Sequence, residues 1–177
     1  MNPMTFLFKG IECEVYKITS VKLNYRAKFT YTDYYVEYHD NFLSVSEIAN
    51  KMLKIKEIGH DNGRTLEDSV RELMNVVPAQ KVCKHYICGK ADFVREGIPG
   101  EIKTFKEEVN PIYEEKGILQ AVFYAMLYGT KMSEYVSAIY EEDLNNEDYA
   151  IIKRIDFHRI ILRKLSLKYL PKVEVVA

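Results

Sequence analysis

Long apolar runs, tryptophan and glutamine are scarce or missing in this chain of 177 residues. It has no tryptophan and two glutamines, and no stretch of about 18 consecutive residues is apolar. Because a helix that spans a bilayer needs roughly that many apolar residues, we expect no transmembrane helix and no membrane partner. The first ten residues, MNPMTFLFKG, also lack the basic segment and apolar run of a secretory signal. These absences predict a cytoplasmic protein.

Cysteine is also scarce, and its arrangement favours reduced thiols. The chain has three cysteines: Cys13, Cys83 and Cys88. Their number is odd and they form no paired CxxC motif, so neither a disulfide framework nor a thiolate metal site is predicted. His60, His85 and His158 have no metal-ligand spacing to one another, which favours ordinary surface or core histidines.

An excess of positive charge, which would point to a nucleic-acid partner, is missing as well. The net charge is −1, from 25 basic and 26 acidic residues. The charge is segregated, however: residues 134–148 include six acids and no basic residue, whereas the chain from residue 150 onwards has seven basic residues and two acids. A solvated acidic loop beside basic surfaces and a nucleic-acid-binding surface are both compatible with this pattern.

The hydrophobic fraction of 47% allows a substantial core, so we expect one domain over residues 1–177. Strict alternation of apolar and polar residues over 21–31 predicts a strand, with 34–40 as its partner. The expected parts of the domain are an N-terminal β extension at 1–43, a core at 44–140, and an acidic loop with a basic C-terminal helix at 141–177.

Helical and strand patterns alternate within the core. Helical spacing of apolar side chains predicts helices at 44–59, 64–75 and 117–129. The first of them begins with a capping-box pair, Ser44 and Glu47. Strand patterns occupy residues 81–106 and 134–142. This order predicts a mixed α/β or α+β fold, with a mixed central sheet flanked by helices.

Charged residues lie inside what otherwise reads as a β-hairpin at residues 89–106. Charged side chains are rarely buried unless they are paired, and Asp is a poor strand former. Alternation puts Glu101 and Lys103 on one face of their strand, and a turn at 95–98 would place Asp92 opposite Glu101. Two carboxylates that close repel each other, and a divalent cation would remove the repulsion. The hairpin is therefore either a solvated face or a metal site.

Context, more than composition, distinguishes this Glu-x-Lys triplet. The chain has two such triplets, Glu101/Lys103 and Glu114/Lys116, about as many as 18 Glu and 18 Lys give by chance. The second lies in the polar run YEEKG, where a solvated turn explains it. Only the first lies in a strand-like stretch that follows an Asp-bearing strand.

Three more side chains are placed to join such a site. Glu67 lies at the edge of the apolar stripe of its helix, where it can face the core or simply favour the helix start through the macrodipole. Gln120 is the one strongly polar side chain inside the apolar helix at 117–129, and Tyr124 lies one turn further on. A buried Gln needs partners, which can be backbone groups or the members of a site.

In combination, these segments resemble the PD-(D/E)XK nucleases. GKADFV, GEIKT and QAVFY look like motifs two, three and four of the RecB-like branch, which includes the CRISPR-associated exonucleases and relatives of lambda exonuclease. GRTLE is similar to the motif-one helix of that branch. The four motifs occur in the family's order over roughly residues 44–140. The resemblance implies a restriction-endonuclease-like core.

The resemblance also implies roles for individual residues. The implied ligands of Mg²⁺ or Mn²⁺ are Asp92, Glu101, the Ile102 carbonyl and Glu67, the last directly or through water. The implied catalytic residues are Lys103, which would position or activate the attacking water, together with Glu67, Gln120 and Tyr124. The last two would support the site and contact DNA. The implied chemistry is metal-assisted phosphodiester hydrolysis, on single-stranded DNA or DNA ends.

One departure from the family pattern concerns cysteine. Many members of the CRISPR branch hold an iron–sulfur cluster with one cysteine before the core and three after it. No cysteine follows Cys88 here, so we expect no iron–sulfur cluster. The chain looks like the compact, cluster-free versions found in archaea, their viruses and other mobile elements, and a viral source would place it in the host cytoplasm.

Two other functions remain open at this point. A Holliday-junction resolvase uses a similar set of acids on a related core, although resolvases tend to be shorter and more basic. Alternatively, the fold serves as a non-catalytic DNA-binding or assembly module. DNA is the expected partner in each case, and a homo-oligomer is compatible with all three.

Overall fold

The computed structural model describes residues 2–31, 42–56 and 63–171. These residues form three α-helices, α1 (Val45–Leu53), α2 (Glu67–Met74) and α3 (Pro111–Leu127). They also form eleven strands: β1 (Met4–Phe8), β2 (Ile11–Lys28), β3 (Thr30–Tyr31), β4 (Leu43–Ser44), β5 (Arg64–Thr65), β6 (Val82–Lys84), β7 (Ile87–Gly89), β8 (Phe93–Arg95), β9 (Ile98–Lys106), β10 (Met132–Glu142) and β11 (Tyr149–Leu165). The strand expected at 34–40 lies outside the described residues.

A six-stranded mixed sheet is the centre of the fold, as the sequence predicts. Its strand order is β1-β2-β11-β10-β9-β8. Strands β9 and β10 are parallel and are joined through α3, whereas all other neighbours in this sheet are antiparallel. The N-terminal hairpin β1–β2 is part of this sheet, because β2 pairs with β11.

The helices cover both faces of the sheet. Helices α1 and α3 pack on one face, and their apolar residues form one core with β2 side chains such as Cys13 and Val15. Leu66 and Val70 of the α2 segment pack on the other face against β9 and β10, with Ile102 and Val136. None of the helices in the described part of the chain is long and apolar enough to cross a membrane.

Local signals set the helix boundaries. The Ser44 side chain accepts a hydrogen bond from the Glu47 N–H at 3.0 Å and caps α1, which ends at Leu53, earlier than expected. Asn110 caps α3, whose first residue is Pro111, a residue favoured at a helix start. Beyond the other end of α3, Gly129 has a φ of 70°, the left-handed conformation that glycine commonly adopts just after a helix.

The basic C-terminal helix predicted within 141–177 is wrong. Residues 149–165 form β11, followed by a short 3-10 helix at Leu167–Tyr169. Register shifts at Ile152/Arg154, Phe157/His158 and Leu162/Lys164 interrupt the pairing of β11 with β2. Each bulge breaks the alternation of period two, so the apolar residues fall at helix-like intervals although the segment is a strand.

The prediction of reduced thiols is also wrong for two of the three cysteines. Cys83 and Cys88 are directly opposite in the β6–β7 hairpin and form a disulfide. Cys13 is a free, buried thiol. Burial raises the pKa of Cys13 to about 12, which keeps this thiol protonated at neutral pH.

Candidate active site

The β8–β9 hairpin and the residue before it carry two acids of the predicted site, Asp92 and Glu101. Its turn consists of Glu96 and Gly97, whose φ values of 53° and 79° suit a two-residue type I′ turn. Val94 pairs with Pro99, which is the register that the sequence predicts. This short turn fixes the position of everything that follows on β9.

Asp92 lies one residue before β8, and both its backbone and its side chain bind β9. Its N–H donates to the Gly100 carbonyl at 2.9 Å, and its Oδ2 accepts from the Ile102 N–H at 2.7 Å. The strand pairing itself ends at Phe93 and Gly100. The Asp92 side chain therefore turns across β9, and does not stand directly opposite Glu101 in a ladder pair.

Glu101 and Lys103 project from β9 toward α3. Glu101 is 3% exposed, and its Oε1 lies 3.4 Å from the Lys103 Nζ. Its Oε2 is buried and has no hydrogen-bond partner among the described residues. Ile102, between them, points its fully buried side chain into the core on the other face. One oxygen of a buried carboxylate is thus left unsatisfied.

Helix α3 packs over the side chains of Glu101 and Lys103. A Cβ at Gly117 would lie 2.9 Å from Lys103 Cγ and 2.4 Å from Tyr135 Cε1, so only glycine lets the lysine stem pass this close to the helix. Tyr124, two turns further on, is buried, and burial followed by the charge of Glu101 raises its pKa well above the ordinary value. Gln120 lies between them on the same helix face, with its buried Oε1 unpartnered in the described part of the chain.

Glu67 enters the site from the first turn of α2. Its Oε2 lies 3.8 Å from an Arg71 guanidinium nitrogen, and Arg71 also donates to the Asp92 carbonyl at 3.2 Å. Arg71 further pairs with Asp68. Sequence reasoning did not assign Arg71 to the site; its position four residues after Glu67, on the same helix face, was the available signal.

Burial raises the pKa values of all three acids, and repulsion from neighbouring carboxylates adds to this rise for Glu67 and Glu101. Burial and the nearby Asp92 raise the pKa of Glu67 to about 8, although its side chain is still 31% exposed, so solvent reaches this carboxyl. Burial raises the pKa of Asp92, against the effect of the Ile102 N–H. For Glu101, burial and Asp92 raise the pKa well above its ordinary value, against the attraction of Lys103.

Three carboxyls therefore share too little positive charge. Their cationic neighbours are Lys103 and Arg71, and Arg71 is also bound to Asp68. Burial is the largest cause of the raised pKa values, and these two cations lower the pKa values too little to offset it.

The donor chemistry of this cluster of acids fits a hard divalent cation. Carboxylate oxygens are the ligands that Mg²⁺ and Mn²⁺ prefer, and Glu101 Oε2 is a buried acceptor that needs a positive partner. In residues 2–31, 42–56 and 63–171, no group of three or more His, Cys, Asp or Glu side chains already converges on a point that could hold a metal. A cation would therefore compete with the present partners: Lys103 for Glu101 and Arg71 for Glu67.

Comparison of the chain with protein-family models, curated proteins and solved structures finds no match. The chemistry of the pocket and the sequence motifs are therefore the basis for assigning a function.

Proposed function

We propose that this protein is a Mg²⁺- or Mn²⁺-dependent deoxyribonuclease of the PD-(D/E)XK type. The observation that supports it best is the Glu101 carboxylate, which is 3% exposed and retains an unpartnered oxygen within the described structure. Two further acids and one lysine lie beside it. An uncompensated buried charge costs stability, and proteins keep such groups where chemistry needs them.

The order of elements supports a restriction-endonuclease-like core. An antiparallel hairpin, β8–β9, bears the acids, and β9 continues through α3 to the parallel strand β10. Of the four sequence motifs, GRTLE ends at Glu67, the first residue of α2, GKADFV and GEIKT lie on and next to the β8–β9 hairpin, and QAVFY lies on α3. The electrostatic coupling of Glu67, Asp92, Glu101 and Tyr124 supports the resemblance on which this proposal rests.

Each residue has a role in the proposed reaction. Asp92 and Glu101 would hold the cation, with the Ile102 carbonyl and Glu67 as further ligands. A bound cation lowers the pKa of water and stabilises negative charge on a phosphate oxygen. Lys103, whose side chain is 20% exposed, donates hydrogen bonds from its ammonium to the attacking water or a phosphate oxygen.

The helices hold these groups in place. Arg71 fixes Glu67 and the Asp92 backbone together. Gln120 and Tyr124 lie on the face of α3 that is turned toward the acids. The raised pKa of Tyr124 keeps its hydroxyl protonated, so that it can donate a hydrogen bond to Glu101 or to a phosphate.

The test compares the wild-type protein with Lys103→Ala and with a matched control, Lys106→Ala. Lys106 is on the same strand, but it is exposed and paired with Glu142. Each protein is incubated with end-labelled single- and double-stranded DNA in Mg²⁺, Mn²⁺ or EDTA. We expect metal-dependent products from the wild type and the control, and about a thousandfold slower cleavage by Lys103→Ala with DNA binding retained, since positioned charge contributes several kcal/mol.

Two outcomes would contradict this proposal. Folded protein that binds DNA in a salt-dependent manner without cleaving it would favour the non-catalytic module. Symmetric cleavage of four-way junctions, with linear single strands left intact, would favour the resolvase.

A further inference from the structure

A row of polar side chains crosses the central sheet from Lys103. In the pairing of β9 with β10, Lys103 is directly opposite Ser137. Ser137 is in turn opposite Asp156 on β11, and Asp156 is opposite Ser20 on β2. Directly paired residues point to the same side of a sheet, and neighbouring strands are about 4.8 Å apart. Lys103 and Ser137 are therefore immediate neighbours on the face that α3 covers.

Asp156, on the far side of Ser137, already has its partners. Ser20 donates to its Oδ1, Arg154 donates to its Oδ2 at 3.0 Å, and Lys17 lies 3.8 Å away. This carboxylate does not need the Ser137 hydroxyl. The hydroxyl is therefore available to a group on its other side, which is where Lys103 lies.

The Ser137 hydroxyl is buried and unpaired within the part of the chain that the structure describes. It is 1% exposed, and its Oγ makes no hydrogen bond within the described residues. Tyr135 lies two residues earlier on the same face of β10, and Ser137 opposes the rise that burial causes in the pKa of Tyr135. The Tyr135 hydroxyl likewise makes no hydrogen bond to any described residue. A buried polar group left unpaired lowers stability, so its retention calls for an explanation.

Gly117 restricts where the Lys103 ammonium can go. The lysine stem runs so close to α3 that a Cβ at position 117 would lie 2.9 Å from its Cγ. Helix α3 therefore blocks one side, and the ammonium can turn along β9 to Glu101, at 3.4 Å, or across to Ser137 on β10. Both acceptors lie on the same face of the sheet.

We propose that Ser137 is a positioning residue, which accepts a hydrogen bond from the Lys103 ammonium when a divalent cation engages Glu101. This inference rests on the proposed nuclease function. Without the cation, Lys103 pairs with Glu101. With Glu101 engaged by a cation, the Lys103 ammonium would turn to Ser137, and this hydrogen bond would keep the ammonium fixed beside the water and the phosphate. Without the hydroxyl, the displaced ammonium would be left in a largely buried place without this acceptor.

The sequence of the same strand offers a matched control. Ser133 is also buried on β10, on the same face, and its Oγ is also without a hydrogen-bond partner in the described residues. It lies four residues from Ser137, about 13 Å along the strand, too far to reach Lys103. Ser137→Ala and Ser133→Ala thus delete the same buried hydroxyl, once beside the lysine and once away from it.

The experiment measures Mn²⁺ binding by titration calorimetry without DNA, and kcat and KM for cleavage of a single-stranded oligonucleotide. We expect Ser137→Ala to weaken Mn²⁺ binding about tenfold and to lower kcat about tenfold with KM little changed, because a hydrogen bond to a charged group is lost. Ser133→Ala should match the wild type in all three quantities. Ser137→Cys, which keeps the volume but is a weak acceptor, should behave as Ser137→Ala does and replaces it if the alanine variant does not fold.

Wild-type values for Ser137→Ala or Ser137→Cys would overturn the inference while the nuclease proposal stands. Equal losses in the Ser133 and Ser137 variants would also overturn it, since they would show a general effect of removing a buried hydroxyl. A wild-type protein that binds no Mn²⁺ would overturn the nuclease proposal, and this inference with it.

Discussion

Two buried glutamates on neighbouring strands have opposite surroundings. Glu134 on β10 is paired with Gly100, the residue that precedes Glu101 on β9. Both acids are almost inaccessible, at 4% and 3% exposed. Glu134 is bound by two guanidinium groups, Arg95 at 2.6 Å and Arg159 at 3.3 Å. Glu101 has Lys103 at 3.4 Å, and the other charged groups that act on it are the acids Asp92 and Glu67.

The comparison shows that burial alone does not identify a functional acid. Glu134 is buried with more than one full compensating charge, so its role in joining strands is sufficient to explain it. Glu101 is buried with too little compensation, so its pKa rises and one of its oxygens has no hydrogen-bond partner among the residues described. The balance of charge around each acid, and not its depth, separates a structural ion pair from a candidate site.

The first way to sharpen the comparison is to neutralise each glutamate by the same change and measure cleavage. Glu101→Gln should lower kcat about a thousandfold or more, because a cation ligand would be lost and metal assistance supplies several kcal/mol. Glu134→Gln should retain most of the activity of the folded enzyme. Similar losses in both variants, measured with protein shown to be folded, would contradict the distinction drawn between the two acids.

For stability the order of the two variants should be reversed, with Glu134→Gln losing more than Glu101→Gln. Glu134→Gln leaves Arg95 and Arg159 without their buried partner, and we expect it to lower the free energy of unfolding by about 1–3 kcal/mol. This loss is smaller than that for a fully buried ion pair, because both arginine side chains are more than a third exposed, at 37% and 38%. Urea denaturation at pH 7 measures it; an unchanged midpoint would mean that the arginines are fully solvated without Glu134.

The acids of the site predict a stability that falls as pH rises in EDTA. Glu67 has a pKa raised from its ordinary 4.5 to about 8, and those of Asp92 and Glu101 are raised too. Between about pH 4.5 and 8 the native state then binds more protons than the unfolded chain, so the free energy of unfolding decreases with pH. We expect Tm to fall by several degrees from pH 5 to 8, at about 2–4 °C for each kcal/mol.

Two controls link this pH dependence to the site. Glu101→Gln should flatten the decline, whereas Glu134→Gln should keep its slope, because it leaves the three acids of the site in place. Added Mn²⁺ should restore stability at pH 8, since it binds the ionised native state. A decline of equal slope in all three proteins would show that it originates elsewhere in the molecule.

Local sequence signals predicted the parts of the fold that depend on near neighbours. The β8–β9 register followed from a short glycine-containing turn, and the start of α1 from the pair Ser44 and Glu47. The β6–β7 turn was less visible, because His85 and Tyr86 adopt positive φ of 54° and 62° without the usual Asn or Gly. The disulfide across this hairpin was missed because the odd number of cysteines and the lack of a CxxC motif favoured reduced thiols, and no turn signal indicated that Cys83 and Cys88 are paired.

Contacts between distant segments were beyond sequence reasoning. The bulges of β11 are set by its pairing with β2, and they gave a strand the apolar spacing of a helix. In the site, alternation placed Glu101 and Lys103 on one face, but it gave no way to find Ser137. That neighbour exists only because β10 returns parallel to β9 in one particular register.

The smallest expected effect is that of Gly117→Ala, which tests how the Lys103 ammonium is held beside Glu101. Alanine normally stabilises a helix interior by about 1 kcal/mol relative to glycine, so Gly117→Ala should favour α3 on propensity alone. Its Cβ would lie 2.4 Å from Tyr135 Cε1 and 2.9 Å from Lys103 Cγ, so one of these must move. If the lysine moves, we expect kcat to fall about fivefold with little change in Tm, because the contacts that position Lys103 are loosened.

Glu115→Ala, an exposed change in the same helix, is the control for helix propensity. Full activity of Gly117→Ala would show that Tyr135 moves instead, and that the path of Lys103 tolerates a side chain at position 117.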